Sequence, residues 1–179
     1  MSMSASKIKI YPVLDFISFF SSELLFLTSF SLLFQTGQPY LETVYAIGYI
    51  FAWFSTRFVR NYIIKQPRPK NNIPFSFDRE KIYTDKYGMP SGHAVKCFYT
   101  TTFMALAYSN IWTTAVLSII SILTLEQRYR YHNHTLAQLF VGTVYGILVA
   151  VSCFWIYKTT TVSNSSMQQI KKTTPNTIR

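Results

Sequence analysis

Two long stretches of this chain, residues 111–125 and 135–157, contain no charged residue at all, and no other feature limits the fold so strongly. A helix on a soluble domain needs a charged face toward water, and these stretches have none to offer. Three more apolar stretches, 11–34, 41–64 and 90–108, complete a set of five. Only 13% of the residues are charged and 49% are hydrophobic, against roughly 25% charged in an ordinary soluble domain. About 20 apolar residues cross the hydrocarbon of a bilayer as a helix, and about 17 suffice. The pattern predicts an all-α integral-membrane bundle of about five transmembrane helices. It forms one domain over residues 1–157, and the polar stretch 158–179 is expected to be a disordered tail.

The net charge is +10 over 179 residues. Its cations gather at the ends of the apolar stretches and in the polar loop 65–89, with no soluble basic module to bind nucleic acid. Phosphate head groups and the bilayer itself are the expected partners. Cys97 and Cys153 lie inside apolar runs without metal-ligand spacing, so buried free thiols are expected. No small-residue cleavage site follows the first apolar run, which is therefore expected to stay as an anchor.

Three polar clusters lie at the ends of these stretches: Lys65-Gln66-Pro67-Arg68-Pro69, Pro90-Ser91-Gly92-His93, and Arg128 with His134. Alternating crossings bring all three to one face. A helix opening at Pro90 presents free N–H groups and its positive dipole end, an anion site. There Gly92 admits an oxyanion to the backbone, Ser91 adds a hydroxyl, and His93 can hold a proton. Prolines on both sides of Arg68 stiffen its backbone, and a guanidinium fork matches phosphate oxygens. His134 and Gln138 are four apart and share a helix face, so Gln138 Oε1 can accept from His134 Nδ1 and leave Nε2 bare. His132 falls outside this pattern.

Arg68-Pro69, Pro90-Ser91-Gly92-His93 and Arg128-x5-His134 resemble, in order and spacing, the three signature motifs of the type 2 phosphatidic acid phosphatase superfamily. The resemblance covers residues 61–146. Tyr87 through His93, and Tyr131 through Gly146 with Gln138, look most like the dolichyl-diphosphate phosphatase branch. The resemblance implies hydrolysis through a phosphohistidine, with no metal and no cofactor. In it His134 attacks phosphorus, Gln138 orients it, and His93 protonates the leaving group and then activates water. Arg68, Arg128, Ser91 and Gly92 hold the phosphate oxygens. A polyprenyl diphosphate substrate and, in a eukaryote, the endoplasmic reticulum membrane follow from the same likeness. Two other readings stay open: a phosphatase for phosphatidate or another lipid phosphate, and a non-catalytic lipid-phosphate binder.

The chain departs from that family at three points. Asn61 stands where the first motif has lysine, and Arg57 or Lys65, four residues to either side, is expected to supply the missing cation. Gln127 replaces the serine before the third-motif arginine. Five membrane helices stand where the superfamily often has six. Asp15 and Glu23, inside the first apolar run, are expected at the interface or bonded to a neighbouring helix. Gly142 and Gly146 form a small-xxx-small packing face. Lys96, one turn after His93, faces either the phosphate or the bilayer surface. The sequon Asn133-His134-Thr135 overlaps the site and is expected to stay unmodified. Of the 17 Lys and Arg, 13 fall on the active face and 4 in the tail, a cytoplasmic bias. The family resemblance implies the lumen instead.

Overall fold

The computed structural model describes residues 11–70, 73 and 86–173, with backbone alone at 165 and 168–173. Met1–Ile10 with Lys7 and Lys9, most of the loop before Lys86, and the last six residues lie outside them. The described chain is all-helical: α1 Pro12–Phe34, α2 Pro39–Phe58, α3 Gly92–Ala107, α4 Ile111–Arg130 and α5 Leu136–Thr173. A π-helical turn, Val59–Ile64, prolongs α2.

Local chemistry starts four of the five helices where the sequence allows it. Pro12 and Pro39 occupy the first turns of α1 and α2, where a missing N–H costs nothing. Asp15 also reaches back to the Tyr11 N–H at 2.8 Å. Asn110 caps α4, its side-chain oxygen accepting from Trp112 and Thr113 at 3.0 and 3.1 Å. Thr135 and Gln138 form a reciprocal capping box at the head of α5. The Thr135 hydroxyl accepts from the Gln138 N–H, and Gln138 Oε1 accepts from the Thr135 N–H, both at 3.2 Å.

The centre of the bundle is α3, which packs against all four other helices. Tyr99, Phe103, Met104 and Cys97 on it are buried with Tyr45, Leu33 and Ala150. Gly142 and Gly146 let α5 lie flush on the start of α3: a Cβ on Gly142 would sit 2.8 Å from the Ser91 carbonyl. Their reading as a packing face agrees with this contact.

Beside this apolar core many small polar side chains are also buried, and many large apolar ones face outward. Ser18, Ser21, Ser22 and Ser29 of α1, Thr100 of α3, and Ser121 and Thr124 of α4 are buried. Several bond across helices, as Thr124 to Ser21 at 2.7 Å and Ser121 with Thr101 at 2.9 Å. Outside, Ile47, Ile50, Phe51 and Phe54 of α2, Ile111, Val116 and Ile119 of α4, and Phe140, Leu148 and Trp155 of α5 are exposed. Polar and small residues between helices with bulky apolar ones outside is the arrangement of helices packed in lipid. By length and hydropathy, Pro12–Phe34 and Leu136–Asn164 are long and apolar enough to cross a membrane.

The C-terminal stretch departs from expectation. Helix α5 does not stop at Tyr157 but continues to Thr173, so most of the expected disordered tail is helical. No Gly or Pro interrupts residues 158–173. The hydroxyls of Thr160, Thr161 and Ser166 fold back onto carbonyls four residues earlier at 2.9, 2.8 and 3.0 Å.

Candidate functional site

The three polar clusters meet at one end of the bundle, where α2 ends, α3 begins and α4 turns into α5. A short antiparallel pairing brings the first to the second: Pro67 bridges Tyr87, and the Gly88 N–H donates to the Gln66 carbonyl at 2.8 Å. The second is tied to the third by the Ser91 N–H, which donates to the Gln138 carbonyl at 3.2 Å.

The orientation of Gln138 follows from its surroundings. Its side chain is fully buried. Nε2 lies 2.9 Å from the Pro67 carbonyl, which can only accept, so that end is the amide nitrogen. Oε1 therefore faces the Thr135 N–H and, at 3.3 Å, His134 Nδ1. That acceptor places the imidazole proton on Nδ1 and leaves Nε2 with a lone pair. Arg68 Nη1 lies 3.4 Å from Nε2 and 3.2 Å from the Asn133 carbonyl. Gly88 leaves room for this amide, since a Cβ there would fall 2.6 Å from Oε1.

His134 is buried beside two guanidiniums. Burial first, then Arg68 and Arg128, hold its pKa well below the usual 6.5, so the ring is neutral at physiological pH. Arg128, itself buried, places Nη2 2.9 Å from His93 Nε2. At the head of α3, Ser91 is fully buried and its hydroxyl has no hydrogen-bond partner among the described residues. Beside it, the space a Cβ on Gly92 would enter is open to 4 Å. A neutral imidazole with a bare nitrogen, two guanidiniums, an unengaged hydroxyl and a helix N-terminus can hold and attack a tetrahedral polyanion.

Six residues expected here come together at this end. Arg68, His134 and Gln138 form one chain of contacts, Arg128 with His93 a second, and Ser91 is tied to Gln138 through the backbone. The two contact sets are linked by the His134 N–H, which donates to the Arg128 carbonyl at 3.3 Å, and Gly92 opens beside them. Asn61 and Lys65 stand apart: both are exposed, and the bonds knitting the site run through neither. Arg57 lies over the Trp53 ring at 5.0 Å. The π-helical turn is the physical reason. Its i→i+5 bonding, as from the Lys65 N–H to the Arg60 carbonyl at 3.2 Å, shifts the faces that α-helical spacing assigns. Arg60 is the residue turned inward, and its charge also acts on His134. The Thr135-x-x-Gln138 pattern in the sequence is the signature of the capping box the structure shows.

The remaining polar residues have structural partners. Glu23 pairs with Lys96 at 2.6 Å, so Lys96 faces α1 rather than the phosphate site. Asp15 is buried against Arg130 and the Tyr131 hydroxyl. Gln127 donates to the Asp15 carbonyl. His132 is exposed in a positive-φ turn, and Asn133 is buried, with no room for a glycan. Among the described residues no group of three or more His, Cys, Asp or Glu is placed to hold a metal.

Among known families, the model of the PAP2 superfamily matches residues 41–161, a span that holds every residue of this network and leaves out α1. No curated protein and no solved structure matches the chain.

Proposed function

The chain belongs to the PAP2 superfamily, phosphatases that act on lipid phosphates, and from that premise we propose that it converts a long-chain polyprenyl diphosphate of the dolichyl type to the monophosphate. The observation that carries this reading is the His134–Gln138–Pro67 chain of hydrogen bonds, which bares Nε2 beside Arg68.

In the proposed reaction Nε2 of His134 attacks the terminal phosphorus. The anhydride P–O bond breaks and the lipid monophosphate leaves, taking a proton from His93. The phosphoimidazolium keeps its Nδ1 proton on Gln138 Oε1. His93 then removes a proton from water, the water oxygen attacks phosphorus, and P–N cleavage releases inorganic phosphate and neutral His134. Arg68, Arg128, the Ser91 hydroxyl and the first N–H groups of α3 hold the equatorial oxygens as charge collects there. In the resting arrangement Arg128 donates toward His93 Nε2; an arriving diphosphate competes for that guanidinium and frees His93 to carry the proton.

A membrane setting with five crossings and one working face fits the exposed apolar surfaces of α2 and α4 as well as α1 and α5. A mostly apolar groove of about 480 Å³ between α4 and α5 is lined by Ile122, Leu125, Tyr129, Leu136, Leu139 and Phe140, with Glu126 and Thr143. It favours a substrate with a long apolar chain. In a eukaryote the branch resemblance favours the endoplasmic reticulum membrane.

The test is phosphate release in mixed micelles from dolichyl diphosphate, phosphatidate and sphingosine 1-phosphate, with and without EDTA. The diphosphate is expected to give the highest kcat/KM, unchanged by EDTA. Preference for phosphatidate removes the proposed substrate and leaves the phosphatase. Phosphate binding without release from any of them makes the chain a binder.

A further inference from the structure

Helix α1 lies outside the family-matched span, yet its first two turns, with Tyr11 just before them, contact residues 127, 128, 130 and 131 around Arg128 of the third cluster. The Phe19 ring lies under the Arg128 guanidinium at 5.1 Å, and its centroid is 6.4 Å from that of His93. The Asp15 carbonyl accepts from Gln127, directly before Arg128. The Asp15 carboxylate, fully buried, pairs with Arg130 and accepts from the Tyr131 hydroxyl at 2.9 Å. Tyr11 completes the grip, with the Arg130 guanidinium 5.1 Å over its ring.

Residues 127, 128, 130 and 131 are thus held from one side by one helix, and the side chain that must reach the phosphate is held by an aromatic face. Arginine lies flat on such a face and keeps its N–H donors at the ring's edge free for oxygens. A ring that only filled space would need no guanidinium over it, and an aliphatic side chain would serve as well.

We infer that Phe19 is a positioning residue for phosphate recognition: it aims the Arg128 guanidinium between His93 and the phosphate, while Asp15 locks the turn that carries Arg128. The inference rests on the proposed role of Arg128 as a phosphate ligand. It also accounts for Gln127, which tethers α4 to α1 where the family has serine.

The test measures inorganic phosphate binding by calorimetry, and kcat/KM on one lipid diphosphate, with the full chain in micelles. Phe19→Leu is expected to weaken phosphate binding by about fivefold, the size of a partly desolvated cation–π contact. Phe19→Tyr is expected to bind as the parent does. In an Arg128→Gln background, Phe19→Leu is expected to change affinity by less than about twofold, because the partner through which it acts is gone. Should Phe19→Leu not fold, Phe19→Met, of similar volume and without a π face, carries the same comparison. Parent-like binding by Phe19→Leu, or losses that multiply undiminished with Arg128→Gln, overturns the inference alone. A parent that binds no phosphate overturns it together with the role given to Arg128.

Discussion

Oε1 of Gln138 stands 3.3 Å from Nδ1 of His134 because the same oxygen closes the capping box of α5. The helix start and the histidine share one acceptor, so the local structure of α5 and the chemistry of the site depend on the same amide. Nε2 of that amide is bonded in turn to Pro67, one residue before Arg68.

Thr135 is therefore predicted to matter for catalysis although it touches no substrate. Thr135→Ala removes the acceptor for the Gln138 N–H and costs about 1 kcal/mol of stability, as a lost helix cap does. With half of the box gone, Gln138 loses definition against His134, and kcat is expected to fall about tenfold, equivalent to about 1.4 kcal/mol of barrier. Thr135→Ser keeps the hydroxyl and is expected to restore both values. Thermal unfolding and steady-state rates on the three proteins check this. Parent-like kcat for Thr135→Ala would disconnect the cap from the chemistry.

The cation that accompanies Asn61 is predicted to be Arg60. Arg60 is buried and acts on His134, whereas Arg57 and Lys65 are exposed. Arg60→Ala is expected to lower kcat/KM by about tenfold or more, the effect of removing one charge from a water-poor site. Arg57→Ala and Lys65→Ala are expected to stay within about twofold, as exposed, screened charges do. Equal losses for Lys65→Ala and Arg60→Ala would return the role to the residue suggested by α-helical spacing.

The catalytic clusters were legible in the sequence because each is short and lies where an apolar stretch meets a polar one. Pro90-Ser91-Gly92-His93 does lie at the start of α3, although the helix begins at Gly92 with Ser91 as its N-cap, two residues past the expected start at Pro90. His134 meets Gln138 from just before α5 rather than from one face of it, because the capping box turns the amide back toward the histidine. Arg60 was not legible, because the face of a residue depends on the helix type and nothing in Val59–Ile64 announces i→i+5 bonding. Phe19 was one phenylalanine among 15, and its partner lies over a hundred residues away. The continuation of α5 past Tyr157 was hidden by a composition of Thr, Ser, Gln and Lys that suits a solvated helix as well as a coil.

The depressed pKa of His134 fixes the sign of two pH effects. The free-enzyme ring stays neutral below pH 6.5, so the acid limb of kcat/KM is expected below that value. For stability, the unfolded chain protonates this histidine near pH 6.5 while the folded one does not. The unfolded state then binds more protons, and the folded state loses stability as pH drops from about 6.5 toward the folded pKa. Gln138→Glu sets a carboxylate beside Nδ1, which favours imidazolium and is expected to move the acid limb upward. It also turns an acceptor toward the Pro67 carbonyl, now bonded by Nε2 at 2.9 Å, so a loss of about 1–3 kcal/mol in stability is expected. An acid limb unmoved by Gln138→Glu would separate it from the ionisation of His134.

The covalent step gives the most direct test of the chemistry. If His134 Nε2 attacks phosphorus, turnover passes through a phosphoramidate that acid destroys and alkali spares. Substrate labelled at its terminal phosphorus and quenched in alkali is then expected to leave label on the parent chain and none on His134→Ala. His93 acts twice, protonating the leaving group and then activating water. His93→Ala with a substrate whose leaving group needs no protonation is therefore expected to accumulate label, since formation proceeds and hydrolysis stalls. The positive charge created on the ring is met by Gln138 Oε1, and the phosphate charge by Arg68 and Arg128, so EDTA is expected to change neither labelling nor turnover. Undiminished turnover by His134→Ala would end this mechanism, as would a requirement for a chelatable metal. Label on His93 in the parent would reverse the roles of the two histidines.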